Sequence, residues 1–297
     1  MSEPAWPSFS VVVPTYARER QLADCLAALA ALDYPRGLFE VLVVDDGGGL
    51  ADGAVEPFRD ALDLKLIAQQ HAGPAAARNT GARAARGELL AFTDDDCRPA
   101  PGWLKALAAS LRTEPGSAAG GRTVNALEDN PYSAASQSLV DYLYESWNVS
   151  GPGGPLFFTS NNFALPASVF RDAGGFDESF PRAAGEDREL CDRLRARGVK
   201  LLYAPEAVVL HAHALSLTGF CRQHFNYGRA ALHFRRARAR RGGGPAKVEP
   251  AAFYLNLLRR PFARGEGFRA LPLAALLLVS QAANAAGFFY ERGRVRG

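Results

Sequence analysis

The feature that most constrains the fold is an alternation of short apolar runs with helical segments in the first 92 residues. Runs rich in apolar and β-branched residues predict buried strands over Phe9–Pro14, Glu40–Val44, Leu64–Ala68 and Glu88–Phe92. Helical patterns fall between them, over Arg18–Ala31 and Ala75–Ala85. Strands that alternate with helices predict an α/β fold with a mostly parallel, doubly wound sheet.

Polar residues follow three of these predicted strands at their carboxyl ends, where ligands bind in open α/β sheets. Pro14-Thr15-Tyr16 ends the first, Asp45-Asp46 follows the second, and Asp94-Asp95-Asp96 follows the fourth. We therefore expect three separate segments to converge on one crevice.

The three adjacent acids of Asp94–Asp96 repel one another, which costs stability unless a cation neutralises them. In extended backbone Asp94 and Asp96 point the same way, so they can share one ion. Mg²⁺ or Mn²⁺ bound there would keep sites for phosphate oxygens. A solvated acidic turn is the alternative, but the position after a buried strand favours the metal site.

Asp45 and Asp46 offer a carboxylate that could accept hydrogen bonds from a base N–H or from ribose hydroxyls. The alternative is a helix cap combined with a turn-forming Asp-Gly pair. No Gly-x-Gly-x-x-Gly sequence follows the first predicted strand, which argues against a dehydrogenase.

Two further clusters contain chemically versatile side chains. Glu186 and Asp187 lie at the start of a predicted helix over Gly185–Arg197. One of them could be a general base, or both could be charges that interact favourably with the helix dipole. His211 and His213 end a predicted strand over Lys200–His211, and one of them could be a third metal ligand. A structural, hydrogen-bonding histidine is the alternative, and the absence of an HExxH spacing argues against a zinc hydrolase.

The remaining chain is less regular after about Thr113. A glycine-rich stretch occupies Glu114–Arg122. A helix is predicted over Ser133–Trp147 and a strand over Leu156–Leu165. Gly151–Pro155 is predicted as a mobile loop and Gly242–Pro245 as a linker.

Four cysteines are widely spaced and form no Cys-x-x-Cys pair. We expect buried thiols in a reducing compartment instead of a disulfide framework or a zinc site. The segment Met1–Ser8 has no basic start and no apolar run, so no signal peptide is expected and the cytoplasm is the expected location.

Charge divides the chain into two parts of opposite sign. Residues 1–215 contain 19 Lys and Arg against 28 Asp and Glu, and residues 216–297 contain 15 against three. An acidic body fits metal binding and argues against nucleic acid, while a basic tail fits an anionic surface. We therefore expect a catalytic domain over 1–215 and a basic, helical extension over 216–297.

The extension has two segments that suggest membrane contact. Gln223–Arg241 is predicted as a basic amphipathic helix, and its arginines would be attracted to anionic lipid. Ala270–Tyr290 has no charge over 21 residues, which is barely long enough to span a bilayer. We expect this helix to lie in the cytoplasmic leaflet, with packing against the catalytic domain as the alternative.

Together, five stretches resemble a family-2 glycosyltransferase of the GT-A fold. They are VVVPTYAR (11–18), VLVVDDGG (41–48), QQHAGPAAARNTGARAARGELLAFTDDDCRP (69–99), SNNFALPASVFRDAGGFDE (160–178) and GEDRELCDRLRARG (185–198). They cover roughly residues 8–215 in the correct order. The resemblance implies a three-layer α/β/α domain with a mixed, mostly parallel sheet, followed by the helical extension.

The resemblance also implies roles for matching residues. Tyr16 would stack on the nucleobase, and Asp187 would be the catalytic base with Glu186 beside it. Asn162 would face the donor sugar or the acceptor. Metal ligands would be Asp94 and Asp96, with His211 and His213 as the further candidates. The residues expected to contact the donor nucleotide are Pro14, Thr15, Tyr16, Asp45, Asp46, Arg78, Asp94 and Asp95.

Family-2 enzymes of this kind invert the anomeric centre of a nucleotide-linked sugar, so a UDP- or GDP-sugar donor and a glycan or lipid-linked acceptor are implied. The Gln-x-x-Arg-Trp motif of processive synthases is missing, which favours single additions. Ala17 and Gly48 stand where the family usually has Asn and Ser. A sugar nucleotidyltransferase and a non-catalytic nucleotide-sugar-binding protein are the alternatives. The first needs a glycine-rich basic loop after strand one, and the second would lack the base.

Overall fold

The computed structural model describes residues 6–149, 154–180, 184–244 and 249–294. Residues 151–153 of the predicted loop and Pro245 of the predicted linker lie outside these ranges. The described strands are β1 (Phe9–Thr15), β2 (Phe39–Asp45), β3 (Leu64–Ala68), β4 (Leu89–Phe92), β5 (Cys97–Pro99), β6 (Ala118–Asn125), β7 (Phe163–Pro166) and β8 (Leu201–His211).

Helices alternate with these strands and then dominate the C-terminal part. They are α1 (Glu19–Ala30), α2 (Pro74–Ala84), α3 (Trp103–Thr113), α4 (Pro131–Tyr144), α5 (Ala167–Ala173), α6 (Glu186–Ala196), α7 (Leu217–Arg240), α8 (Ala251–Ala263) and α9 (Ala270–Arg294). A π-helical turn, Glu145–Val149, follows α4.

The strands form one sheet in the order β3-β2-β1-β4-β7-β6-β8-β5. β1 pairs in parallel with β2 and β4, and β2 pairs in parallel with β3. The pairs β4–β7, β6–β7 and β5–β8 are antiparallel. The predicted mixed α/β sheet is thus confirmed, and its parallel half is built from the strands that the sequence pattern marked.

Burial explains why the first strands are so apolar. Every residue of β1 and of β2 is buried, as expected for parallel strands that are covered on both faces. Leu22, Leu26 and Leu29 lie on one face of α1 and pack into the same core as Val11 and Val13.

The structure corrects one prediction in the middle of the chain and adds a strand that was not predicted. The predicted strand Leu156–Leu165 is wrong over most of its length, because only Phe163–Pro166 pairs. β6 begins inside the glycine-rich stretch and ends at Asn125, and no strand was predicted there. A Cβ on Gly120 would lie 2.0 Å from Cγ of Phe158, so glycine here permits close packing and does not mark a loop.

The chain divides into two compact units. The sheet unit comprises Met1–Val124, Gly154–Ser179 and Glu186–Ala212. The helical unit comprises Asn125–Gly153, Phe180–Gly185 and His213–Gly297. Unlike the predicted division at residue 215, the helical unit also takes in α4, because α4 packs against α7 and α9.

Candidate active site

The carboxyl ends of β1, β2 and β4 meet at one edge of the sheet. Thr15 pairs with Asp45, and its hydroxyl donates to Asp95 Oδ2 at 2.8 Å. The N–H of Asp46 donates to the carbonyl of Thr15 at 2.9 Å. The predicted convergence of the three polar segments is therefore confirmed, and we call this region the acidic edge.

Asp95 and Asp96 of the acidic loop are both buried, and Asp95 is the less exposed of the two. Its second oxygen, Oδ1, accepts a hydrogen bond from Arg18 at 3.2 Å. Burial raises the pKa of Asp95 to about 6, although the charge of Arg18 and the hydroxyl of Thr15 act in the opposite direction. Because both of its carboxylate oxygens accept hydrogen bonds within the protein, Asp95 holds the acidic loop next to β1.

Asp96 lies beside a histidine from the far strand of the sheet. Its Oδ2 is 3.2 Å from Arg18 Nη1, and its Oδ1 is 3.2 Å from His211 Nε2. The β5–β8 pairing places Cys97 opposite His211 and so fixes this contact. Burial lowers the pKa of His211, but the adjacent Asp96 outweighs it and the net direction is upward.

The donor atoms at this position fit a divalent cation. Ligand atoms of Asp96, Cys97 and His211 all lie within 4.8 Å of one another. Burial raises the pKa of the Cys97 thiol well above its usual value, and soft sulfur is a poor ligand for Mg²⁺ or Mn²⁺. A carboxylate oxygen together with an imidazole nitrogen suits Mn²⁺. Mg²⁺ would be bound through the carboxylate oxygens alone.

Arg78 joins the acidic loop to α6. Its Nη2 donates to Asp94 Oδ1 at 2.5 Å, and its Nη1 donates to Glu186 Oε1 at 3.2 Å. Arg78 and Glu186 are each almost completely buried, whereas the side chain of Asp94 is 28% exposed. Arg78 Nε and Glu186 Oε2 are buried without a hydrogen-bond partner among the described residues.

Glu186 and Asp187 form a pair of neighbouring acids at the start of α6. Burial raises the pKa of Glu186, and the charge of Asp187 adds to this effect. Burial also raises the pKa of Asp187, while the backbone N–H of Arg188, which donates to Oδ1 at 2.7 Å, opposes it. Asp187 is only partly buried and Glu186 is buried, so Asp187 is the more accessible acid.

Asp45 and Asp46 hold two turns at the acidic edge. Asp45 accepts hydrogen bonds from the backbone N–H groups of Gly48 and Leu50. These bonds match the alternative prediction, in which this acid forms a turn. Asp46 accepts from the N–H groups of Ala72 and Gly73, each at 2.8 Å. Both carboxylates thus shape the loops around the site.

Tyr16 presents an aromatic surface next to these turns. Its side chain is 51% exposed, and its ring centroid lies 4.5 Å from that of His71. His71 is fixed in turn by Asp46, whose Oδ2 is 2.9 Å from Nδ1. His71 could not be predicted as a site residue, because a histidine inside a loop gives no signal until the fold places it against Tyr16.

Three predicted site residues have other surroundings. Asn162 is completely buried and bonds to the indole N–H of Trp103 and to two backbone carbonyls. Pro14 is buried within β1. His213 belongs to the helical unit, and its Nε2 is 3.0 Å from Gln223 Oε1. The structure therefore does not bring the Asn162 side chain to the acidic edge.

The four cysteines differ in burial. All four are unpaired thiols: Cys25, Cys97 and Cys191 are buried, and Cys221 is partly buried. The prediction of buried thiols therefore holds for three of the four and not for Cys221.

Comparison with known proteins decides the family. The sequence pattern of glycosyl transferase family 2 matches residues 10–174. The chain belongs to this family. It is 32% identical over 234 residues to a pre-mycofactocin glycosyltransferase of Mycobacterium tuberculosis, and this match covers 77% of the chain and 48% of the relative. A validoxylamine A glucosyltransferase of Streptomyces hygroscopicus subsp. limoneus is 32% identical over 230 residues, covering 68% of the chain and 51% of the relative.

The chain spans about half the length of these relatives. Its fold is similar to two solved structures. One is the mannosyltransferase PcManGT from Pyrobaculum calidifontis with GDP-Man and Mn²⁺, with a TM-score of 0.59, 22% identity and coverage of 99% and 84% of the two chains. The other is S. aureus TarS 1–349 with UDP-GlcNAc, with a TM-score of 0.58, 18% identity and coverage of 98% and 92%. The predicted GT-A fold is thereby confirmed.

Proposed function

We propose that this chain transfers a sugar from a nucleotide-diphosphate sugar to an acceptor hydroxyl, with inversion at the anomeric carbon and one addition per encounter. The observation that carries the proposal is the Arg78 bridge between Asp94 of the acidic loop and Glu186, which is adjacent to Asp187. It holds Asp94, a proposed metal ligand, and Glu186, the neighbour of the proposed base, in one hydrogen-bonded unit.

The donor nucleotide is proposed to lie against the exposed ring of Tyr16. An aromatic face that is half exposed and supported by His71 is suited to stacking on a base. UDP- and GDP-linked sugars are the donor classes we favour, since the two similar structures contain UDP-GlcNAc and GDP-Man.

A divalent cation, Mn²⁺ or Mg²⁺, is proposed to be held by Asp94, Asp96 and His211. When bound, it would supply positive charge against the departing diphosphate. Two observations support this proposal: Asp96 and His211 already lie in contact, and the similar mannosyltransferase structure contains Mn²⁺. Asp94 would have to share its carboxylate with Arg78.

Asp187 is proposed as the general base. It would take the proton of the acceptor hydroxyl while the acceptor oxygen forms a bond to the anomeric carbon. The bond from that carbon to the phosphate oxygen breaks, and the nucleoside diphosphate leaves with the electron pair. A carboxyl group with a raised pKa is a stronger base than an ordinary one, which suits this role near neutral pH.

The acceptor is proposed to be a glycan or lipid-linked hydroxyl of the cell envelope, reached from the cytoplasmic side of the membrane. The support is the excess of 15 Lys and Arg over three Asp and Glu in residues 216–297, which is suited to an anionic surface.

The experiment that tests the proposed base compares Asp187→Asn with Asp192→Asn on the same helix. Transfer from UDP- and GDP-sugars is followed as nucleotide release, and donor binding is followed by calorimetry. We expect Asp187→Asn to lose transfer by about 10²-fold or more while donor binding persists, since only the proton acceptor is removed. Asp192→Asn should keep both properties.

Two results would contradict this assignment. If Asp187→Asn transferred sugar at the normal rate, the base would be misplaced. If the unmodified protein bound a nucleotide sugar but transferred it to no acceptor and to no water, the chain would be a nucleotide-sugar-binding protein.

A further inference from the structure

One face of α9 is apolar, exposed and free of charge along most of the helix. Leu271, Leu278 and Phe289 are 71%, 57% and 63% exposed. Their spacing of seven and eleven residues puts them on one side of a helix, and the exposed alanines between them lie on the same side. We call this the outer face; it comprises Leu271, Ala275, Leu278, Ala282, Ala286 and Phe289.

The opposite face of α9 is committed to the helical unit. Its residues Leu273, Leu277 and Ser280 are buried. At Gly287 the helix comes so close to α7 that an added Cβ would lie 1.9 Å from the carbonyl oxygen of Phe225. Packing within the unit therefore explains only one side of α9 and leaves the outer face uncovered by it.

The same helix is anchored by a charged cluster near its C-terminal end. Glu291 is buried and lies 2.6 Å from Arg229 Nε and 3.2 Å from His233 Nε2 of α7. A helix that crossed a bilayer would carry α7 and its arginines with it, because the two helices are in contact along much of their length. Charged side chains are costly inside hydrocarbon, so this packing opposes a full span.

Basic residues lie at both ends of the outer face. Arg264 and Arg269 precede α9, pair with Glu145 and Asp129, and remain about half exposed, at 49% and 53%. Arg292 and Arg294 close the helix and are exposed. Phe268, just before α9, is 90% exposed. An uncharged apolar stripe between arginines, with an aromatic residue at its edge, is the composition of a helix that lies at a lipid interface.

We infer that the outer face of α9 docks flat on an anionic phospholipid bilayer, with its apolar side chains among the acyl chains and the flanking arginines at the headgroups. By length and composition alone the helix Gly267–Arg294 could cross a membrane. Its second apolar face is occupied by α7, which favours the in-plane orientation. A second copy of the chain is disfavoured as the occupant, since two strongly basic extensions repel each other.

The test is co-sedimentation of the full chain with vesicles of phosphatidylcholine, with and without phosphatidylglycerol. We expect binding only to the anionic vesicles, weakened by salt and released by alkaline carbonate. Leu278→Glu should reduce binding by about tenfold or more, because it places a charge in the apolar stripe. Leu217→Glu is the matched control: Leu217 is 51% exposed at the start of α7, and its variant should bind normally.

Circular dichroism and donor binding of the variants establish that they are folded, so loss of vesicle binding is separable from failure of the proposed transferase activity. Normal binding by Leu278→Glu would overturn the inference. So would resistance to carbonate, which indicates a spanning helix. A lipid-free dimer that Leu278→Glu converts to monomer would show that a second copy covers this face instead.

Discussion

At the scale of single residues, Arg78 connects acids that the sequence keeps far apart. Asp94 follows β4, and Glu186 opens α6, 108 residues beyond Arg78. The side chain of Arg78 is 5% exposed, so the two carboxylates, and hardly any water, stabilise its charge. Removing it would leave one fully buried acid and one partly buried acid without their cation.

We therefore predict that Arg78→Met lowers the free energy of unfolding by about 3 kcal/mol, the usual cost of breaking a buried ion pair from one side. Lys200→Met is the control, because its pair with Glu114 is exposed and should contribute less than about 1 kcal/mol. Urea unfolding followed by circular dichroism measures both. Equal effects of the two substitutions would show that the buried ion pairs of Arg78 contribute no more to the free energy of unfolding than an exposed pair.

The acid pair of α6 gives a prediction about pH. Burial raises the pKa of both Glu186 and Asp187, so the ionised base forms only at a higher pH than an ordinary carboxylate needs, whose pKa is about 4. The acid limb of kcat/KM should accordingly lie well above pH 4. The charge of Arg78 lowers the pKa of Asp187, so Arg78→Met should move this limb to higher pH.

The exposed Glu88 supplies the control for this profile, since Glu88→Gln should leave the limb in place. The measurement is the rate of nucleotide release from pH 4 to 8 at low substrate. An acid limb near pH 4, or one that Arg78→Met does not move, would show that Asp187 does not control the rate.

Two departures from the family pattern illustrate what single residues can reveal only in the fold. Ala17 has a left-handed backbone, with φ of 53°, where the family's usual Asn is tolerated well. An added Cβ on Gly48 would lie 2.4 Å from the backbone nitrogen of Ala17. Both replacements are visible in the sequence. Only the structure shows that residues 17 and 48 are in contact, so a side chain at position 48 would displace the backbone at Ala17.

At the scale of helices and strands, the crossing of α7 and α9 depends on two glycines. A Cβ on Gly228 would lie 1.8 Å from the carbonyl oxygen of Asn284, and a Cβ on Gly287 would lie 1.9 Å from that of Phe225. The helix backbones are therefore in direct contact at these positions. Any side chain larger than hydrogen must move the helices apart.

Gly287→Ala should destabilise the protein by about 1–3 kcal/mol, the range for overfilling a packed interface, despite the better helix propensity of alanine. Gly293→Ala, on the same helix with open space around it, should change stability by less than about 0.5 kcal/mol. Thermal unfolding followed by circular dichroism compares them. A neutral Gly287→Ala would mean that the helices separate at no cost.

Elements with strong local signals could be predicted, and elements defined by distant contacts could not. β3 was predicted with its observed bounds, Leu64–Ala68, because its apolar pattern is local. β6 was missed, because Gly120 and Gly121 are weak strand formers whose presence is explained by Phe158 and by the carbonyl of Ala207 pressing against them. The acidic edge was found from strand ends, whereas the Arg78–Glu186 contact required the complete fold.

At the scale of the whole molecule, donor binding is proposed for the sheet unit and lipid docking for the helical unit, and the two properties should be separable. Donor binding should appear as stabilisation. A ligand at 100 times its Kd adds about 2.7 kcal/mol to the free energy of unfolding. UDP or GDP with Mn²⁺ should therefore raise the melting temperature by several degrees, and the nucleotide with the larger effect identifies the donor base.

The dependence on Mn²⁺ distinguishes the proposed site from general anion binding. Asp96→Ala should abolish the Mn²⁺-dependent part of the shift, because Asp96 and His211 provide the adjacent oxygen and nitrogen donors. Asp60→Ala removes the same charge from an exposed position and should keep the full shift. If the Mn²⁺-dependent shift survived in Asp96→Ala, the metal site would be wrongly assigned to the acidic edge. If no nucleoside diphosphate shifted the melting temperature, the proposed donor site would be wrong as well.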